Sequence, residues 1–127
     1  MGSKAQISAE FFVLMGIAFL IAIAFEFSAL DQLNEFRRQK EDEAVKDLAF
    51  KLQKELFIAA SVEDGYIRIF KIPNKLDNFN YTIFTENSTV TVQSEHTLYI
   101  VGTPIAIGNF TNGTNKINKT GGVIHIN

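Results

Sequence analysis

The chain has 127 residues, 46% of them hydrophobic, with 12 bases, 14 acids, a net charge of −2 and no cysteine. That length holds about one small domain and an extension, and no large enzyme core. The missing thiols exclude a disulfide framework, a thiolate metal site and a cysteine nucleophile, and the near-neutral charge argues against a nucleic-acid or polyanion partner.

The first element announces itself by composition. After Lys4-Ala5-Gln6-Ile7-Ser8-Ala9-Glu10, the stretch from Phe11 to Phe25 contains only Phe, Val, Leu, Met, Gly, Ile and Ala. No proline precedes Pro73, and Gly16 is the only glycine between Ser3 and Asp64, so nothing breaks a helix over this span. One helix from Ile7 to about Ala60 is predicted, extending roughly 80 Å at about 1.5 Å per residue. Its first part is apolar on every face, the mark of a helix surrounded by lipid or by other apolar helices. Fifteen residues reach only about 22 Å, against a hydrocarbon thickness of about 30 Å, unless Ile7 and Phe27 to Leu30 are drawn in. Glu26 then interrupts the run.

Glu10 stands where the apolar run begins, and a charge at the edge of a hydrocarbon segment is costly without a partner. As a first-turn acid it would gain about 0.3–1 kcal/mol from the helix N-terminus. If the chain is cut before Gln6, a new α-amine lies one helical turn away; amine and carboxylate, each costly when desolvated, are less so when paired. Such a pair between neighbouring subunits would set axial register.

From Phe27 the pattern becomes one-sided: Phe27, Leu30, Leu33 and Phe36, then Val45, Leu48, Leu52, Leu56 and Ala59, recur every three or four residues. Between them Arg37 to Glu43 is wholly polar, with Arg37/Glu41, Arg38/Asp42 and Asp42/Lys46 at i,i+4 spacing, and reads as a solvated face. Residues 26–64 carry six bases and ten acids, whereas 65–127 carry five bases and three acids and draw their polarity from Asn, Thr and Ser.

Beyond Asp64-Gly65 the period falls toward two. Tyr66 to Ile72, Tyr81 to Glu86, Thr89 to Ser94, Thr97 to Val101, Ile105 to Ile107 and Val123 to Ile126 read as strands of a small antiparallel sheet. Reversals fall at Pro73-Asn74, Glu86-Asn87-Ser88, Gly108-Asn109 and Gly121-Gly122. A sheet this small needs a cover for its apolar face, which the stripe from Val45 to Ala59 supplies. Asn80, Asn87, Asn109, Asn112 and Asn118 each open an Asn-x-Ser/Thr sequon, half of the chain's ten asparagines, and point to an exported, glycosylated surface.

Signals for catalysis are missing. His96 and His125 lie in strand-like runs with no carboxylate or second histidine at ligand spacing, and Glu63-Asp64 reads as a helix-ending Asp-Gly turn rather than a metal pair. No enzymatic activity, cofactor, metal or nucleic-acid partner is expected.

The Lys4-Ala5-Gln6-Ile7-Ser8-Ala9-Glu10-Phe11 string resembles the class III signal peptide of archaeal type IV pilin-like proteins: a basic residue, a small residue, then Gln-x-Ser-x-Glu-Phe and a hydrophobic run. Asp64-Gly65-Tyr66-x-Arg68-x-Phe70-x-Ile72-Pro73, Asn80-Tyr81-Thr82-Ile83 and the closing Gly122-x-Ile124-x-Ile126-Asn127 resemble the β-domain of small proteins bearing this leader. Ala5 departs from the Gly that many members carry at the cleavage position, and Glu26 is a second departure. The resemblance implies a prepilin peptidase acting at Lys4, Ala5 and Gln6, assembly through Glu10, Phe11, Phe12, Leu14, Phe19 and Phe25, identical or related pilin subunits as partners, and an assembly ATPase with a membrane platform. The expected product is a lollipop-shaped subunit, membrane-inserted as a precursor and then part of an extracellular filament serving adhesion. Alternatives are a minor pilin or membrane-anchored binding module that does not polymerise, and a conventionally secreted protein cleaved after the Ala22-Ile23-Ala24 site.

The fold expected is α+β, a long N-terminal helix, apolar in its first half and amphipathic in its second, packed on a small antiparallel sheet domain. Its parts are a leader (1–5), a membrane or filament-core helix (6–30), an amphipathic helix (31–64) and a β-rich extracellular head (65–127).

Overall fold

The computed structural model describes Gly2–Asn127, apart from the side chains at positions 2, 3 and 5; Met1 and the side chain of Ala5, both in the expected leader, lie outside the described residues. A single helix, α1 (Gly2–Ser61), is followed by seven strands. The chain divides into two compact units, one ending at Arg37 and the other spanning Arg38–Asn127. The α+β fold class agrees with the sequence reading.

In the second unit one face of α1 is buried: Val45, Leu48, Ala49, Leu52, Leu56 and Ala59 follow the i, i+3, i+4 spacing that aligns side chains on a helix. They share one core with the inner faces of two sheets. The first sheet has the order β1 (Ile67–Ile72), β6 (Gly113–Thr120), β7 (Val123–Ile126), β5 (Ala106–Gly108) and contributes Ile72, Ile117, Ile124, Ile126 and Ala106. The second, β2 (Tyr81–Glu86), β3 (Thr89–Ser94), β4 (Leu98–Gly102), contributes Tyr81, Val90, Val92 and Val101. The stripe from Val45 to Ala59 covers sheet as expected, but Phe27, Leu30, Leu33 and Phe36, which continue its pattern toward the N-terminus, are exposed.

The expected single antiparallel sheet is thus two sheets, and one pair is parallel: Ala106, Ile107 and Gly108 of β5 face Ile124, His125 and Ile126 of β7. Period-two patterning identifies strands without naming their neighbours. The crossing from β4 to β5 is held by Thr103 N–H donating to Ser88 O (2.7 Å) and Ala106 N–H to Asn87 O (3.3 Å), which tie it to the β2–β3 turn. That turn and the β6–β7 turn use left-handed backbone, at Asn87 (φ 47°) and at Gly121 and Gly122 (φ 59° and 78°), as two-residue hairpins demand.

β6 falls outside the predicted runs. Its sequence, Gly-Thr-Asn-Lys-Ile-Asn-Lys-Thr, has one large apolar residue and poor strand propensity. It is a strand because it pairs on both edges, with β1 and β7. Asn115, fully buried within it, is satisfied at both ends. Its Oδ1 accepts from Thr111 N–H (2.8 Å) and Asn127 Nδ2 (2.9 Å), and its Nδ2 donates to Thr111 O (2.6 Å) and Gly113 O (3.0 Å). Lys119 of the same strand donates from Nζ to Ala60 O (2.8 Å) and Val62 O (2.7 Å), meeting carbonyls that the end of α1 leaves open.

Gly108 closes the parallel pair at φ 110°, and a Cβ there would stand 2.0 Å from the Ile126 carbonyl oxygen. Gly108→Ala therefore meets both left-handed strain, about 1–2 kcal/mol, and a backbone collision, about 1–3 kcal/mol. Chemical denaturation should show a loss of roughly 2–5 kcal/mol, whereas Gly102→Ala, with open space around its Cβ, should lose far less.

Candidate functional site

In the first unit every described side chain of α1 from Gln6 to Arg37 is exposed except half-buried Ile23. The large apolar ones between Ile7 and Phe25, Ile23 aside, are 49% to 71% exposed. An 18-residue window reaches a mean hydropathy of 2.4 with none of it buried within the chain. At about 1.5–3 kcal/mol for each large apolar side chain left in water, this surface forfeits on the order of 10 kcal/mol or more. That rivals the whole stability of a small domain, about 5–15 kcal/mol. The helix is long and apolar enough to enter a membrane, and a signal sequence has the same character.

The residues expected to act in assembly all lie on this surface. Glu10, Phe11, Phe12, Leu14, Phe19 and Phe25 are exposed. Phe11 and Phe12 meet edge to face with centroids 6.2 Å apart. Glu10 borders a shallow apolar groove with Ala9, Val13 and Leu14, and among the described residues it makes no ion pair. Of the residues expected to direct processing, Lys4 and Gln6 are exposed, and the Ala5–Gln6 bond lies near the start of α1, where helix ends open most readily.

In the second unit the part of the polar run from Arg38 to Glu43 is not a wholly solvated face. Glu41 is only 3% exposed. Its Oε1 accepts from Ser94 Oγ (2.5 Å) and from the His96 amide (3.3 Å), and its Oε2 lies 3.2 Å from His96 Nδ1. Asp42 Oδ1 accepts from Thr97 Oγ1 at 3.4 Å beside it. The β3–β4 turn is thereby fastened to α1. His96, which has no carboxylate at ligand spacing in the sequence, meets one from 55 residues away. Ser94 and His96 both address the carboxylate, an arrangement that holds a loop rather than activating a hydroxyl. A sequence signal existed: Glu41 precedes Val45 by four residues, in phase with the buried stripe.

Burial alone would raise the Glu41 pKa, but the Ser94 hydroxyl, the His96 amide and the His96 ring, by hydrogen bond and then by charge, together lower it below the ordinary carboxylate value. A depressed acid contributes stability that is fully present above its unfolded pKa and is lost as pH falls through the folded one. Hydrogen bonds to a charged group contribute about 1.5–3 kcal/mol each, so Glu41→Gln should destabilise the head at neutral pH by roughly 1–3 kcal/mol. Thermal melts should show the gap between variant and wild type closing as pH drops below the carboxylate range. A constant gap would remove the charge from this account.

The other buried acid, Glu55, faces Arg68 of β1 at 3.4 Å. Asp64, at the turn after α1, accepts from the Gly122 amide at 2.9 Å, as a turn residue does. His125 is half-buried in β7 opposite Asn118.

Four of the five sequon asparagines, Asn80, Asn87, Asn109 and Asn112, are exposed and stand between strands or in turns. Asn118 differs: it is half-buried within β6, flanked by Ile67 and His125 on the paired strands.

Compared with protein families, with curated proteins and with solved structures, the chain matches none.

Proposed function

We propose that this chain is the structural subunit of an archaeal type IV pilus-like cell-surface filament, cut by a prepilin peptidase before Gln6 and serving surface adhesion. The observation that carries the reading is the long apolar helix left uncovered by its own chain, headed by Glu10 within the Gln6-Ile7-Ser8-Ala9-Glu10-Phe11 motif, and followed by a unit with a complete core of its own. Before assembly the helix surface meets lipid. In the filament it meets the same surface of neighbouring subunits, exchanging lipid contacts for helix packing. Nothing in the chain supplies free energy for that transfer, so an assembly ATPase and membrane platform belong to the reading. Glu10 sets axial register by meeting the new α-amine of a neighbour, a pairing that makes both charges tolerable in an apolar setting. Exposed sequons at Asn80, Asn87, Asn109 and Asn112 suit a glycosylated outer surface.

The test separates register from insertion. Glu10→Gln and Glu10→Ala should still fractionate with membranes but yield at least tenfold fewer filaments in sheared cell-surface material. Normal filament yield would remove Glu10 from the mechanism. A membrane-anchored module that never polymerises is the second reading, favoured by a head whose core is complete without a partner; under it, the wild-type chain stays with the membranes.

A further inference from the structure

The two sheets of the head turn chemically different faces to solvent. On the first, the cross-strand row Ile67–Asn118–His125–Ile107 lies beside the pair Ile69–Lys116, with Lys71 next along β1. Ile67, Ile69 and Ile107 are exposed, as are Lys71 and Lys116, and no acid stands among them. On the second, the rows are Phe84–Thr91–Ile100 and Thr82–Gln93–Leu98, with Glu86 at the end of β2 and Glu95 in the turn after β3. Phe84, Leu98 and Ile100 are exposed, as are Glu86 and Glu95, and no base stands among them. Outward-facing strand positions are ordinarily polar, so three large apolar side chains on each of two sheets need an occupant.

We infer that the basic-apolar face of the first sheet docks on the acidic-apolar face of the second sheet of another copy. The occupant is a second copy because each face supplies what the other lacks, apolar against apolar and lysine against glutamate. Self-pairing of either face would set like charges against each other. A contact between two different faces is head-to-tail, and where its rotation does not close a ring it propagates as a helical array, the case a filament requires. This inference rests on the filament reading and adds to it an interface between heads. Each face offers three large exposed apolar side chains, few beside the roughly 20–30 residues a side of a stable complex, so the contact forms where subunits are already held at high local concentration. Asn118 lies on the docking face, so it carries no glycan in assembled subunits.

The chain has no cysteine, so introduced thiols report without background. Full-length chains carrying Ile69→Cys, Ile100→Cys or both are assembled in cells, and sheared filaments are treated with a short bis-maleimide. Both sites are more than half exposed, so folding tolerates them. The double variant should give a denaturant-resistant ladder beyond dimer, with at least tenfold more cross-linked product than either single variant; mixed single variants should stop at dimer. Intact filaments of the double variant without a ladder, or dimers from one single variant alone, overturn the interface while leaving the filament reading standing. Failure of the wild-type chain to form filaments overturns both.

Discussion

Phe19→Arg should abolish stable membrane insertion and, with it, every later step. Phe19 lies near the middle of the Phe11–Phe25 run and its ring is among the most exposed on the helix. A phenylalanine at the centre of a spanning helix favours insertion by about 0.3–0.6 kcal/mol, and an arginine opposes it by about 2.5–3.5 kcal/mol. The swing of roughly 3–4 kcal/mol is worth 100-fold or more in the partition between membrane and water. Arg at this depth also has no described side chain of its own chain within the apolar run to pair with, since the segment from Phe11 to Phe25 carries no charge. Carbonate extraction of membranes should move the variant from the pellet to the soluble fraction, while Phe36→Arg, beyond the apolar run, should remain in the pellet. Retention of Phe19→Arg in the pellet would mean that this surface is not what enters lipid.

Leu52→Ala should be the most damaging single truncation in the head. Leu52 is fully buried at the centre of the helical stripe, between Leu48 and Leu56, and shares one cluster with residues of both sheets. Removing a buried leucine side chain costs about 2–5 kcal/mol, more where the surroundings cannot collapse into the space. Here the cavity would be walled by a helix and two hydrogen-bonded sheets, so the upper half of that range is expected. A small domain holds about 5–15 kcal/mol in all. The variant's head should therefore melt some 10 °C or more below wild type in a circular-dichroism scan, by the usual relation of about 4–8 °C per kcal/mol for a small domain. A shift under about 2 °C would mean that the stripe is not the head's core. Leu33→Ala, on an exposed position of the same pattern, should change little.

These contrasts locate what could be read from the residues. The buried stripe at Val45, Leu48, Leu52, Leu56 and Ala59 was legible because amphipathic spacing reports burial directly, and β2, β3 and β7 were legible to the residue because alternation and turn residues bracket them. Partnership was not legible. β5 is three residues long, and its parallel neighbour is set by a crossing that Ser88 and Asn87 hold through backbone atoms, which leave no mark on side-chain pattern. β6 was hidden for a related reason: its strand character comes from two neighbours and from Asn115 satisfying its hydrogen bonds in the interior, both tertiary facts. Phase alone promised too much for Phe27, Leu30, Leu33 and Phe36, whose stripe resembles the buried one but whose side chains are more than half exposed.

The candidate site divides in the same way. An apolar run needs no tertiary context to be recognised, so the helix from Phe11 to Phe25 and the acid at its edge were plain. The fastening of Glu41 to Ser94 and His96 spans more than fifty residues and belongs to no local motif. Its only trace was an acid in step with a hydrophobic face. The sequons were visible as strings, but the difference between four exposed asparagines and half-buried Asn118 depends on β6 being a central strand.

Processing before Gln6 and polymerisation through the N-terminal helix, as proposed, would leave their mark on the subunit within the filament. The most direct measurement is mass spectrometry of filaments sheared from cells and purified by density, covering both the N-terminal peptide and intact mass. The chain should be a principal component, beginning at Gln6 or its cyclised form, with added mass at one or more of Asn80, Asn87, Asn109 and Asn112 and none at Asn118. Recovery of the chain only from the membrane fraction, beginning at Met1, or only from the medium, beginning at Phe25, would contradict the proposal.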